Sequence, residues 1–176
     1  SFYFEFNPIL RVSDKFSFDY EFSYTLRNND KGYSGRSSDS IYFGRRDVKY
    51  IENSLNGRYM FMNNLSLSLS VRHYWSVGVY DMYYLLQNDG YLLDLNNTNL
   101  GQNFNFNAFN IDVNFSWEFA PGSLLNFNYK NEIVAEDDKV DQGYFYNFSS
   151  TFKQDQLSRF SLKLIYYLDF QRLKRG

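Results

Sequence analysis

The sequence contains no cysteine, which excludes both a disulfide framework and a thiolate metal site, and its single histidine leaves no His-based metal motif. Only two prolines interrupt 176 residues, and together with a high aromatic content this argues against a disordered chain. The formal net charge of −2 provides no basic excess, so a nucleic-acid partner is not expected. Apolar runs are short: Leu164 to Leu168 is among the longest, far below the ~20 residues of a membrane helix. The opening Ser1-Phe2-Tyr3-Phe4-Glu5-Phe6 has no initiator Met and no signal-type apolar region. We therefore expect any secretory signal to have been removed or to lie upstream in a longer protein.

What is abundant is aromatic: 19 Phe and 17 Tyr bring aromatics to 22%. Hydrophobic residues reach 44%, yet mean hydropathy is −0.52, so the apolar side chains are diluted by polar ones. The dilution is periodic. Phe16, Phe18, Tyr20, Phe22, Tyr24 and Leu26 share one parity, and Ser17, Asp19, Glu21, Ser23, Thr25 and Arg27 the other. The same period of two recurs over 65–72, 109–119, 125–130 and 160–170. No stretch keeps a three-four spacing with helix caps, so the chain reads as all-β.

Alternating runs of roughly 10–14 residues exceed the 5–6 typical of soluble sheets and match a tilted strand that crosses a bilayer. Aromatics near the strand ends, among them Tyr59, Phe61, Trp75, Trp117 and Phe119, suit interfacial girdles. The expectation is an antiparallel transmembrane β-barrel in the outer membrane of a Gram-negative bacterium; a soluble lipocalin-like barrel or sandwich is the other reading. Short periplasmic turns are expected near 13–15, 62–64 and 120–123, and extracellular loops near 28–45, 83–104 and 135–158. About seven strands result, near 1–12, 16–27, 46–61, 65–80, 105–119, 124–134 and 159–170. Because closed bacterial barrels normally have an even number, the chain is expected to be the C-terminal part of a larger barrel. The alternative makes residues 144–152 an additional strand and gives a complete eight-stranded barrel.

The runs RDVKYIENSL (46–55), RHYWS (72–76), NFNAFNIDVNFSWEFAPGS (105–123) and SLKLIYYLDFQRLK (161–174) resemble the C-terminal region of large Bacteroidetes-type outer-membrane proteins of unknown function. Long members of that family carry an N-terminal domain similar to family 9 carbohydrate-binding modules, followed by a β-barrel. The resemblance implies an outer-membrane location and a missing N-terminal portion, and it supplies no reaction, catalytic residue or cofactor.

Tyr166, Leu168 and Phe170 share one parity near the end of the chain and form a candidate assembly signal for capture by the barrel-assembly machinery through edge pairing. If the parity is right, Asp19, Glu21, Arg27, Glu52, Arg58, Arg72, Asp112, Glu118, Lys130, Glu132 and Lys163 face the lumen. Their mixed signs suggest a ladder of cross-strand ion pairs and waters. A tight turn at 62–64 sets Phe61 against Leu65, hence Ser54 against Arg72, with Glu52 diagonal to Arg72. His73 shares parity with Val71 and Trp75 and is expected to face lipid or the girdle, away from Ser70 and Ser76. No catalytic constellation, metal site or cofactor is therefore expected. The acids Asp137, Asp138 and Asp141 lack the spacing and glycine of a defined calcium loop. Two roles remain: a structural, anchoring or interaction role, within an outer-membrane assembly handling surface glycans or secreted proteins, or a solute-transporting pore. Lipid, the assembly machinery and other outer-membrane proteins are the candidate partners.

Overall fold

Alternation of large apolar with small polar side chains leaves the backbone extended, because only a pleated strand separates neighbours onto opposite faces. In the computed structural model, which describes residues 1–96 and 98–168, these segments form one antiparallel sheet that curls as a half-barrel. The strands are β1 (Phe2–Phe6), β2 (Ile9–Arg11), β3 (Phe16–Ser37), β4 (Ser40–Met62), β5 (Leu65–Leu86), β6 (Leu92–Leu95), β7 (Phe104–Ala120), β8 (Ser123–Asp137) and β9 (Gln156–Ile165). One helix, α1 (Tyr144–Thr151), precedes β9. The main order is β1-β3-β4-β5-β7-β8-β9, with β2 beside β3 and β6 beside β5. β1 and β2 are one edge strand divided at Pro8, which has no N–H to donate. Phe6 opposite Phe22 and Ile9 opposite Asp19 keep a single register across the gap.

Connections between consecutive long strands are tight at one end of the sheet: residues 12–15, Asn63-Asn64, and Pro121-Gly122. Gly122 takes φ +74, as the third position of a Pro-Gly type II turn requires. At the other end β3 and β4 do not stop near 27 and 46. They run on as a long hairpin to Ser37 and Ser40, through register shifts between Arg27 and Asp30 and between Tyr33 and Gly35. Most of the expected 28–45 loop is thus strand: cross-strand backbone pairing persists there without the clean alternation that marks a half-buried strand. β5 likewise extends to Leu86 and takes β6 as a partner, which shortens the 83–104 loop.

Residues 144–151 are helical, so the additional-strand alternative is set aside. Among the described residues β9 pairs with β8 alone and β1 with β3 alone, and the sheet has two open edges. Among the described residues the apolar face is largely open: Leu69 and Leu164 are exposed, and Phe18 and Ile111 half-buried. Few apolar side chains are buried; among them Trp75 and Phe109 lie against Tyr144 and Phe152 where α1 covers the sheet, and Tyr83 stacks on Tyr80 toward the end of β5.

Candidate functional site

The register turns sequence parity into two surfaces. Because directly opposed residues share a face, the apolar face can be followed row by row across the strands. One row runs Leu10, Phe18, Gly57, Leu69, Val113, Tyr129, Phe160 and is apolar throughout. The row of Leu26 begins with Phe2 and Leu26, continues through Lys49, Val77 and Asn105, and ends at Asp137. The apolar stripe ends at Leu26 on β3, Ile51 on β4, Phe109 on β7, Ile133 on β8 and Phe160 on β9, while β5 alone carries it further, through Trp75 and Val77 to Val79. Its other limit moves the same way, from Phe16 on β3 past Leu164 to Tyr166, which stacks on Phe119. The band is sheared diagonally across the hydrogen-bonded rows.

The shear has a magnitude. From β3 to β9 the limit slips four rows, ~27 Å along the strands at ~3.4 Å per residue, over five strand spacings, ~24 Å at ~4.8 Å each. A plane containing that limit is crossed by the strands at about 45° from its normal. The stripe of residues 16–26 then rises about 25 Å perpendicular to the plane.

The opposite face holds Glu52, Arg58, Arg72, Asp112, Glu118, Lys130 and Lys163, all on one parity of the register. Asp112 gathers two cations, Lys130 Nζ at 3.0 Å directly across the ladder and Arg72 Nη2 at 3.6 Å on the diagonal. Arg159 reaches Glu132 at 3.6 Å. These pairs are partly to largely exposed, and each contributes about 1 kcal/mol or less. Ser54 does stand opposite Arg72, although a bulge sets Met62, not Phe61, against Leu65. Glu52 is diagonal to Arg72 but forms no ion pair with it, since Arg72 turns to Asp112. With Glu21, Ser54, Asn56 and Ser70, Glu52 and Arg72 line a polar recess of about 560 Å³. Arg58 borders a smaller recess with Asp19 and Asp112. Glu118 Oε1 accepts from the Gly122 N–H at the turn, and Lys163 stands opposite Asn126.

His73 departs from expectation. It lies on the apolar face, but α1 covers it and leaves it 3% exposed: Phe148 packs edge-on against its ring and the Tyr144 hydroxyl lies 3.3 Å from Nδ1. Asn53 Nδ2 donates to the Tyr144 oxygen at 2.9 Å, and Tyr20 donates to Asn53 Oδ1 at 2.7 Å. Burial raises the Tyr144 pKa above its ordinary value, so at neutral pH it is a hydroxyl.

Deeper under the helix, Asn147 accepts from Asn105 Nδ2 at 2.7 Å and donates to the carbonyls of Gln142 and Gly143. Asn105 also accepts from Trp75 Nε1 and donates to Asp137. This asparagine cluster was not legible beforehand. Its inward positions, Tyr144, Asn147 and Thr151, have helical spacing but no apolar stripe, so the usual signal is missing. Among the described residues no His, Cys, Asp and Glu group is arranged to hold a metal ion. Tyr166 and Leu168 are exposed beyond the end of β9, and Phe170 lies outside the described residues.

No curated protein and no solved structure matches this chain. The family model of a domain of unknown function, DUF5916, covers residues 1–176, the whole two-faced sheet with its helix. The chain therefore belongs to the DUF5916 family.

Proposed function

We propose that this chain forms part of the wall of an outer-membrane β-barrel in a Gram-negative bacterium and serves as a membrane anchor in a larger protein. The observation that carries the reading is the sheared apolar band. Its height of about 25 Å and its strand tilt of about 45° are the dimensions of a barrel wall in a bilayer, and much of the band, including Leu55, Leu69, Phe160 and Leu164, is exposed where a soluble barrel would pack it into a core. Rings exposed on that face find in lipid the apolar surroundings that water denies them.

The two open edges favour closure by further strands, and the Bacteroidetes-type proteins that the sequence resembles would add an N-terminal carbohydrate-binding module. A barrel so placed would handle surface glycans or secreted proteins with other outer-membrane proteins. Tyr166 and Leu168, with Phe170, would present the assembly signal. The test is flotation of the full-length folded protein with liposomes after an alkaline carbonate wash. Co-flotation is expected. A monodisperse folded protein that stays at the bottom of the gradient without detergent refutes the membrane reading.

A solute pore is the second reading, favoured by the recess that joins Glu21 and Glu52 to Arg72 on a hydrated face. Single-channel steps in a planar bilayer would select the pore, and their absence with the inserted protein would select the anchor.

A further inference from the structure

Helix α1 solves one problem and creates another. It covers His73, Asn105 and Asn107, polar groups on the outward face that could not stand in lipid unpaired. In doing so it presents a new apolar surface. Tyr144, Asn147 and Thr151, at helical spacing, turn to the sheet. Phe145, Phe148 and Phe152, at the same spacing, form the neighbouring stripe, 83%, 36% and 42% exposed, with Tyr146 at 56% beside them. Such a stripe in water is costly, and nothing polar dilutes it beyond Ser149: residues 142–152 carry no charge in a chain that is 22% charged.

The contacts place the helix across the strands. Tyr144 reaches Asn53 on β4 and His73 on β5, while Phe152 meets Phe109 on β7. Phe148 and Phe152 lie against His73 and Phe109, the row next to Val71 and Ile111 of the apolar band; Asn147 lies on the other side, toward Asn105. The aromatic edge of α1 thus continues the band, and its amide peg faces away from it.

We propose that α1 is an in-plane interfacial element, whose Phe145, Tyr146, Phe148 and Phe152 rest in the lipid headgroup region at the loop end of the barrel wall. The proposal rests on the membrane reading above. An uncharged aromatic face continuous with a hydrocarbon band has the chemistry of that boundary, where an amphipathic ring is most stable. A stripe built for a soluble partner would have no need to line up with the limit of the band. The Asn147 hydrogen bonds hold the helix at one height, so the rings act as a depth gauge on the outer surface.

The experiment attaches an environment-sensitive fluorophore to a single cysteine in the full-length protein, in a cysteine-free background in liposomes, at Phe145→Cys, Leu162→Cys or Asp89→Cys. Quenching by lipids brominated near the headgroup is compared with quenching by lipids brominated near the chain end. The expected result is quenching at 145 mainly by the shallow lipid, at 162 by both, and at 89 by neither. Quenching at 162 with none at 145 overturns the interfacial role while leaving the barrel intact; a blue-shifted but unquenched probe at 145 assigns the surface to a protein partner instead. Stronger quenching at 145 by the deep lipid overturns the headgroup placement. No quenching at 162 refutes the membrane reading and this proposal with it.

Discussion

Leu55 and Ser158 belong to one hydrogen-bonded row, Tyr20, Leu55, Val71, Ile111, Asn131 and Ser158, yet the sheared band puts them at different depths. On β4 the stripe runs from Ile51 to Tyr59 and Leu55 is at its middle. On β9 the middle is near Leu164, six residues from Ser158, which at ~3.4 Å per residue and a tilt of about 45° is ~14 Å of height. That exceeds the ~12 Å half-height of a 25 Å apolar band. An arginine facing lipid costs about 2–4 kcal/mol at the midplane and about 0–1 kcal/mol near the interface. Leu55→Arg measured against Leu55→Ala should therefore lose about 2–4 kcal/mol, and Ser158→Arg against Ser158→Ala at most about 1 kcal/mol. The alanine references remove the packing contribution of Leu55. Guanidinium unfolding in lipid vesicles, followed by tryptophan fluorescence with a constant m-value, supplies both differences. Equal costs at the two sites would falsify the tilted-band argument, because depth would then not depend on position along the row.

Asn147→Ala leaves the Gln142 and Gly143 carbonyls without their side-chain donor and should loosen α1 by about 2–3 kcal/mol. Faster hydrogen exchange across 144–152 with unchanged exchange in β4 is the expected pattern, and unaltered exchange in the helix contradicts it. A methyl group at Gly78 falls on the Phe104 ring. Gly78→Ala should cost about 1–3 kcal/mol, with part of the loss recovered in Gly78→Ala/Phe104→Ala; strict additivity of the two changes refutes the contact. Asp112→Asn removes the shared partner of Arg72 and Lys130 but should change stability by only about 1 kcal/mol on a hydrated face. A loss of several kcal/mol would mean that this face is dry. The raised pKa of Tyr144 means that the folded state favours its protonated form. Its contribution to docking is complete below the ordinary tyrosine value of 10.0 and is lost as pH rises through the higher folded value. Trp75 emission in a Trp117→Phe background should stay constant from neutral pH to that limit, and a transition near pH 8 would contradict the assignment.

Parity alone determined that the chain is all-β and which residues share a face, because a strand has a period of two and a one-residue slip would turn Phe18 or Leu69 to the wrong side. The tight turns at Asn63-Asn64 and Pro121-Gly122 were legible for the same local reason: their residues prefer such conformations regardless of surroundings. Tertiary structure decided what depends on distant partners. The shear of the band exists only once six strands are in register. The upper reaches of β3, β4 and β5 are strand because a neighbour completes their hydrogen bonds, although their side chains do not alternate. His73 is buried because a helix 71 residues further along the chain lies over it. That helix holds its place through Asn147 and its asparagine and carbonyl partners, and hydrogen bonds between side chains far apart in sequence leave no periodic trace.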